Sequence, residues 1–267
     1  MISINLTIYN KGFLIERVLS AIEKFSALPH EIAVVLDGCT DDSADKVFRF
    51  FRENNVRHKI AIADNVFETK ANNINARNSS GDYIIIIQDD MIINEEGWDK
   101  RLIRPMEEFK DVVSVSANCA HDWAYNPKNK AEKLDYYPDN WWSDLLLPVG
   151  IVRKGETGRN EFTVRASSNR GPLAIRHSDF EKLGYFDEAF SPQQDDDHDF
   201  HMRAYEQLGR VTGLYWIDFI SDVQWGATRN QGELPWLLRA THKNQKLMWS
   251  RHKDLILHPR DWEVRKV

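Results

Sequence analysis

Short apolar runs alternate with amphipathic segments over roughly the first 90 residues of the chain. The runs ISINLTIY, EIAVVLDG and HKIAIA are rich in β-branched residues, which predicts three strands. Between them, GFLIERVLSAIEKF and TDDSADKVFRFFRENN predict helices, the first with Leu14, Val18 and Ile22 on one face. Strands that alternate with helices form βαβ units, so the pattern predicts an α/β fold with a mostly parallel central sheet flanked by helices.

A fourth apolar run, within GDYIIIIQDDMII, ends abruptly in two acids. Its isoleucines are too few to cross a membrane and too β-branched to favour a helix, so residues 83–87 are predicted to form a strand buried on both faces. Asp89 and Asp90 would then lie at the carboxyl end of a parallel strand, where open α/β sheets bind ligands. From this stretch alone, two interpretations stay open: a ligand site, or a capped turn into NEEGW.

Periodicity continues in the second half of the chain, with one long interruption. The segments VVSVSAN, EFTVRAS, GPLAIR and RVTGLYWIDF predict strands, and DDDHDFHMRAYEQLG and ELPWLLRATHKNQKLMW predict helices. Residues 121–160 have no period and carry aromatic side chains among prolines, asparagines and charges. This composition predicts a long loop or insertion, which in a compact domain is usually functional.

Composition and charge narrow the class of protein. A chain of 267 residues with 42% hydrophobic content can bury one large core, and its net charge of −6 argues against a nucleic-acid partner. From Arg229 onward nine basic residues face four acidic ones, so the final helix is expected either to pack on the body or to lie on an anionic membrane. Two cysteines, no signal-peptide pattern and no membrane-length segment predict a cytoplasmic protein, with peripheral contact at the inner face of the membrane as an option.

Four segments together resemble family-2 glycosyltransferases with a GT-A fold. These are LTIYNKGFLIERVLSAI, EIAVVLDGCTDDS, ANNINARNSSGDYIIIIQDD and GPLAIRHSDFEKLGYFDEAFSPQQDDDHDFHMRAYEQLG, in the family's order. The resemblance covers residues 2–118 and 165–217. It implies a nucleotide-sugar-binding half over 1–118, an acceptor-binding half over 119–228, and a basic helical extension over 229–267.

The resemblance also implies a donor site for a nucleoside diphosphate sugar. Asp90 would bind Mn²⁺ or Mg²⁺, which absorbs the charge of the departing diphosphate, and Asp89 would contact the ribose or assist the metal. Asp37 would accept the imide N–H of uracil or thymine, unless it is only a turn residue before Gly38. The other residues assigned to the donor are Thr7 and Tyr9 on the first strand and, if they are not simply on a solvated helix face, Lys70 and Asn73.

The motif QQDDDHD is the acceptor-side counterpart. An inverting transfer needs a carboxylate that takes the proton of the attacking hydroxyl, and by resemblance this general base is Asp197, with Asp196 beside it. Crowded carboxylates are expected to raise one another's pKa. Acids also favour helix N-termini for electrostatic reasons alone, and this explanation stays open.

Two features depart from the family pattern. Leu36 stands where the family often has another aspartate, and the stretch ISDVQWGATRNQ lacks the histidine that completes the metal shell in many relatives, which leaves His242 as the nearest substitute. A zinc site at His198 and His201 is disfavoured because no third ligand is suitably spaced. Trp141, Trp142 and Tyr137 either stack on sugar rings or form the core of the insertion.

The expected activity is an inverting, metal-assisted transfer of a sugar from a nucleoside diphosphate, with UDP or dTDP favoured, to a hydroxyl of a glycan or lipid-linked acceptor. Two alternatives remain. One is a degenerate module of the same fold that only binds nucleotide or glycan. The other is a sugar nucleotidyltransferase, although TIYNKGFLIE lacks the glycine-rich basic loop of that class.

Overall fold

A computed structural model describes residues 1–126, 145–222, 224–226, 235–261 and 263–267, without the side chains of 235–238. The strands are β1 Ile2–Ile8, β2 His30–Asp37, β3 His58–Ala63, β4 Tyr83–Gln88, β5 Met91–Ile93, β6 Ser114–Ser116, β7 Cys119–Tyr125, β8 Leu146–Arg153, β9 Glu161–Arg165, β10 Ser167–Ser168, β11 Leu173–Arg176, β12 Thr212–Leu214, β13 Phe219–Ser221 and β14 Val264–Lys266. The helices are α1 Ile15–Phe25, α2 Ser43–Glu53, α3 Phe67–Asn78, α4 Trp98–Glu108, α5 His177–Lys182, α6 Asp196–Leu208 and α7 Pro235–Leu257.

The central sheet has nine strands in the order β14-β9-β12-β6-β11-β4-β1-β2-β3. Strands β3, β2, β1 and β4 are parallel neighbours, and β11 and β9 run against the direction of the others. The predicted α/β fold with a mostly parallel sheet is therefore confirmed. Strands β11 and β6 extend the sheet beyond the initial βαβ units, and helix α4 packs against them.

Strand β4 lies near the centre of this sheet and is buried on both faces, as predicted. Ile85 and Ile87 belong to the main core, which includes α1, α2 and α4, whereas Ile84 and Ile86 belong to a second core with α5 and α6. Alternate side chains of a strand point to opposite faces, so the isoleucine run fills both cores at once. The position of the two acids beyond β4 is fixed by this burial.

The register of β1, β2 and β4 brings the predicted donor residues to one edge. Thr7 pairs with Gln88 of β4 and with Val35 of β2, and all three strands run in the same direction. Their carboxyl ends therefore meet, and Asp37 and Asp89 lie directly at or beyond these ends. Asp89 and Asp90 form a turn, as the alternative interpretation also expected, and the chain then enters β5, which pairs with β13.

The prediction of a loop over 121–160 was wrong for residues 121–125 and 146–153, which form strands. Residues 119–125 and 146–153 form an antiparallel pair, β7 with β8, and β10 completes a three-stranded sheet. Neither strand shows an apolar alternation, because β7 buries His121 and Asp122 and half of the residues of β8 are exposed. The central part of this region, 127–144, lies outside the described residues, and so do Tyr137, Trp141 and Trp142.

Helix α7 packs on the body of the protein. Met248 is fully buried, Trp249 lies against Tyr125 with ring centroids 4.8 Å apart, and Arg251 pairs with Asp187 and Asp199 at 2.7 and 3.0 Å. Strand β14 then extends the central sheet beside β9. Within the described residues, no helix combines the length and the apolar character needed to cross a membrane.

Candidate active site

Asp89 lies in a partly enclosed position at the carboxyl end of β4. Its Oδ2 accepts a hydrogen bond from the backbone N–H of Tyr9 at 3.0 Å, and its Oδ1 lies 3.7 Å from the Nζ atom of Lys11. Burial raises the pKa of Asp89 to about 7, against the opposing effect of the Lys11 ammonium. Desolvation of this carboxylate therefore outweighs the attraction of the nearby ammonium.

Asp90, the second acid beyond β4, has a buried side-chain oxygen. Its Oδ1 atom is buried and has no hydrogen-bond partner among the residues that the structure describes. Burial raises the pKa of this carboxyl group, again opposed by Lys11. A buried carboxylate oxygen without a donor is unfavourable, and a divalent cation is a group that would satisfy it. Asp89 and Asp90 therefore fit a metal site that uses oxygen ligands.

Asp37 is fully buried at the end of β2, beside the start of α3. Its two oxygens accept hydrogen bonds from the backbone N–H groups of Val66 and Phe67 at 2.7 and 2.9 Å. The carboxylate thus fixes the start of α3, which explains its burial without reference to a nucleotide. Acceptance of a base imide by Asp37 stays a prediction.

Thr7 and Tyr9 are partly buried on and just after β1. The hydroxyl of Thr7 donates to the Oδ1 atom of Asn72 at 3.1 Å, and Tyr9 contributes the backbone N–H that holds Asp89. Both residues therefore lie at the carboxyl edge of the sheet. Their contact with a nucleotide stays a prediction.

The two α3 residues assigned to the donor differ in their environment. Lys70 is exposed on the helix surface. Asn73 is fully buried and holds the segment before α6, because its amide donates to the carbonyl of Phe186 at 2.8 Å and accepts from the N–H of Phe186 at 3.1 Å. The solvated-face interpretation was wrong for Asn73, and these contacts give it a structural role that the sequence did not suggest.

The acceptor-side acids surround one buried arginine. Arg170 donates from its guanidinium to Asp196 at 2.5 Å, and its backbone N–H donates to the Oδ2 atom of Asp197 at 3.1 Å. The other oxygen of Asp197 accepts from the N–H of His198 at 3.0 Å. Two backbone donors therefore orient Asp197, whereas Asp196 serves as the direct ion-pair partner of Arg170.

The expected rise in the pKa of Asp197 was wrong. Burial alone would raise this pKa, but the imidazole of His198 and the guanidinium and backbone N–H of Arg170 outweigh it and hold the pKa below its usual range. The permanent charge in this group is that of Arg170, whose own pKa is raised by the carboxylates around it despite its burial. Asp197 is thus ionised at neutral pH, as a proton acceptor must be.

Glu68 lies between the end of β4, next to Asp89, and the Arg170 side chain that pairs with Asp196. Its Oε1 atom accepts from the side chain of Gln88, next to Asp89, and lies 3.3 Å from the Nε atom of Arg170. Burial raises the pKa of Glu68, and Arg170 opposes this rise. Sequence reasoning missed the contacts of Lys11, Glu68 and Arg170 with these acids, because no local motif signals that a charged residue lies beside acids distant along the chain.

Comparison with known proteins assigns the family. The sequence profile of glycosyl transferase family 2 matches residues 3–173, well over half of the chain. The chain belongs to glycosyl transferase family 2. No curated protein sequence matches it.

Solved structures support the GT-A fold of this family-2 member. The chain is similar to TarS of S. aureus, with 16% identity, a TM-score of 0.56, and 83% of this chain and 36% of that chain covered. It is also similar to GalNAc-T7 with UDP, GalNAc and Mn²⁺, with 14% identity, a TM-score of 0.63 and coverages of 96% and 49%. A third match is the mannosyltransferase PcManGT from Pyrobaculum calidifontis in complex with GDP-Man and Mn²⁺, with 17% identity, a TM-score of 0.61 and coverages of 96% and 68%. The chain thus spans about a third and a half of the first two structures.

The histidines of this family-2 chain do not form a metal centre in the described part of the structure. His198 shares a hydrogen bond of 2.6 Å with the hydroxyl of Ser167, and burial lowers the pKa of His201 to about 3, which keeps it neutral. Among the described residues, no group of three or more histidine, cysteine or acidic side chains is placed to hold a metal ion. His242 lies half-buried on α7, and its role as a metal ligand stays a prediction.

Helix α7 instead holds the turn that presents the acceptor-side acids. The amide of Asn244 donates to the carbonyls of Phe190, Gln193 and Gln194 at 2.7 to 3.0 Å. Gln194 and Asp195 have φ angles of 75° and 65°, a left-handed conformation that costs energy in residues other than glycine. The basic C-terminal extension therefore stabilises a strained turn directly before Asp196.

Proposed function

We propose that this family-2 protein transfers a sugar from a nucleoside diphosphate donor to a hydroxyl group of a glycan or lipid-linked acceptor, with inversion at the anomeric carbon. The observation that carries the proposal is the buried Asp90 oxygen without a described partner, beside Asp89 at the carboxyl edge of the sheet. UDP or dTDP is the favoured donor nucleotide, because Asp37 is an acceptor suited to an imide N–H.

In this proposal Asp90 and Asp89 hold Mn²⁺ or Mg²⁺, the ion that offsets the charge of a leaving diphosphate. GalNAc-T7 and PcManGT were each solved with Mn²⁺ and a nucleotide, which supports the same chemistry here. Thr7, Tyr9 and Asp37 line the nucleotide side of the edge, and Lys70 is available at the surface of α3.

Asp197 acts as the general base. Its two backbone hydrogen bonds fix the carboxylate, which is ionised at neutral pH and so is in the form that can accept the hydroxyl proton. Asp196 is the weaker choice, because its Oδ2 atom is bound to the Arg170 guanidinium and its side chain is fully buried. An attack from the face opposite the diphosphate inverts the anomeric centre.

The acceptor and the place of action belong to the proposal as well. Arg239, Lys243 and Lys246 lie exposed on α7 and could meet an anionic membrane surface that carries a lipid-linked acceptor. Such contact would be electrostatic, since the apolar residue Met248 of the same helix is already buried in the protein. We place the protein in the cytoplasm, at or near the inner face of the membrane.

Two observations favour the alternative of a degenerate binding module. Both oxygens of Asp37 already accept backbone hydrogen bonds within the protein, and Leu36 replaces an acid that relatives often have. Such a chain would retain the fold and the nucleotide contacts but would not turn over. Nucleotide binding and sugar release therefore need separate tests.

The test of the donor site is a thermal-shift panel with UDP, dTDP, GDP, CMP and AMP, each with and without Mn²⁺. A ligand at a hundred times its dissociation constant adds about 2.7 kcal/mol, which corresponds to several degrees for a domain of this size. We expect a metal-dependent shift with UDP or dTDP that disappears in Asp90→Asn. No shift with any nucleotide would refute the proposed donor site.

A further inference from the structure

Lys11 is a buried ammonium that the family resemblance does not explain. Lys11 is only 2% exposed. A lysine is rarely buried to this extent unless it has a charged partner. The backbone around it is fixed: its N–H donates to the hydroxyl of Ser43 at 2.7 Å, and its carbonyl accepts from the N–H groups of Leu14 and Ile15 at 2.9 Å. The side chain is thus directed from a rigid turn between β1 and α1.

The ammonium lies near Asp89 and Asp90 but does not form a hydrogen bond with Asp89. The Nζ atom donates to the carbonyl of Trp225, and its distance of 3.7 Å to Asp89 Oδ1 exceeds that of a hydrogen bond. An ammonium has three N–H donors, so these two contacts leave capacity for a further anionic acceptor at this edge. The charge of Lys11 also acts on both Asp89 and Asp90.

We propose that the Lys11 ammonium is a fixed counter-charge for the diphosphate of the donor, placed at the same edge as the metal-binding carboxylates. This inference rests on the proposed function and adds a binding residue to its donor site. A nucleoside diphosphate needs more positive charge than a divalent ion held by two carboxylates supplies, because those carboxylates neutralise the ion. Lys11 is the buried cation that the structure places there.

The same position gives Lys11 two opposite electrostatic effects. A cation about 4 Å from a carboxylate attracts a diphosphate but repels a divalent metal ion bound at that carboxylate. With both carboxylates ionised, removal of the charge should therefore strengthen the binding of Mn²⁺ alone and weaken the binding of UDP. Lys11 also lowers the pKa of Asp89, so the comparison is made at about pH 8.5, where protonation of Asp89 competes less with the metal. A lysine that only supports the fold would shift both affinities in the same direction or leave both unchanged.

The experiment compares Lys11→Met with the unsubstituted protein by calorimetric titration with Mn²⁺ alone and, at saturating Mn²⁺, with UDP and with uridine. We expect Mn²⁺ to bind several-fold more tightly, UDP about tenfold more weakly, and uridine with unchanged affinity because it has no phosphate. Lys46→Met is the matched control: Lys46 donates to the carbonyl of Gly12 in the same turn but pairs with Asp42 at 2.8 Å. We expect this control to leave all three affinities unchanged.

Unchanged UDP affinity in Lys11→Met, or an equal loss for UDP and uridine, would overturn the assignment of Lys11 and leave the proposed function intact. If the unsubstituted protein binds no UDP with Mn²⁺, both the assignment and the proposed UDP site are wrong. Should Lys11→Met fail to fold, Lys11→Gln replaces it, since an uncharged amide can still donate to the Trp225 carbonyl. A second measurement uses the ¹⁵Nζ signal of Lys11 in NMR spectra of the unsubstituted protein. We expect this signal to shift when Mg²⁺ and UDP are added but not when uridine is added. A signal that does not shift with Mg²⁺ and UDP would also overturn the assignment.

Discussion

Arg170→Met removes a buried cation that lies beside Glu68, Asp196 and Asp197, and it tests how this cluster is held together. The side chain of Arg170 is 7% exposed and lies 2.5 Å from Asp196, 3.3 Å from Glu68 and 3.9 Å from Asp197. Methionine fills much of the same volume without charge. The substitution therefore leaves three carboxylates close together with their common guanidinium gone.

The burial of this cluster sets the magnitude of the effect. Loss of one partner from a buried ion pair typically costs about 3–5 kcal/mol, because the remaining charge is left uncompensated. For a chain of this size each kcal/mol lowers the melting temperature by about 2–4 °C, so Arg170→Met should lower it by roughly 10 °C at pH 8.

The loss should also depend on pH. Without Arg170 the folded-state pKa values of Glu68 and Asp197 rise above those of the unfolded chain, which are about 4. A group with a raised folded pKa contributes stability below its unfolded pKa and loses it as the pH rises through the folded pKa. The deficit of the variant should therefore grow between pH 5 and pH 8.

The assay is calorimetric unfolding at pH 5, 6.5 and 8, without metal. Arg104→Met is the matched control, because Arg104 forms an exposed pair with Glu108 on α4 at 2.7 Å and should contribute little. A deficit for Arg170→Met that stays below about 1 kcal/mol at pH 8, or one that does not change with pH, would refute the role of Arg170 as the cluster's counter-ion.

Three further predictions concern the carboxylates. Asp197→Asn should retain donor binding and lower turnover by about 10²-fold or more, and a fully active variant would remove Asp197 as the base. Asp90→Asn should abolish the metal-dependent part of UDP binding in calorimetric titration, whereas unchanged binding with Mn²⁺ would exclude Asp90 as a ligand. Because the pKa of Asp89 is raised to about 7 in the folded protein, its contribution to stability is present below about pH 4 and lost as the pH rises through 7. The metal-free protein should thus lose stability relative to Asp89→Asn between pH 5 and 8, and parallel pH profiles would contradict the burial of that charge.

Much of the parallel part of the sheet could be predicted from sequence because its signals are local. The isoleucine run that ends just before Asp89 encodes a strand buried on both faces, and its burial fixes where the acids lie. Strands β7 and β8 could not be predicted in this way. They pair with each other in a small separate sheet, and buried polar residues such as His121 and Asp122 hide any apolar period.

The contacts within the site show the same limit. The acids were found because carboxylates at a strand end or a helix start are visible in the sequence. The partners of these acids were not, since Lys11 reaches Trp225 across 214 positions and Asn73 reaches Phe186 across 113. The direction of the pKa shift at Asp197 depends on Arg170, a residue outside every motif, and so it could be known only from the folded chain.

The most direct test of the proposed transferase activity is the release of nucleoside diphosphate from a panel of UDP- and dTDP-sugars in the presence of Mn²⁺, measured for the unsubstituted protein and for Asp197→Asn. The account predicts release from at least one donor, stimulated by metal and reduced about 10²-fold by the substitution. If the protein binds UDP with Mn²⁺ but releases no diphosphate from any donor, it is a nucleotide-binding module of the family and the proposed transferase activity is wrong.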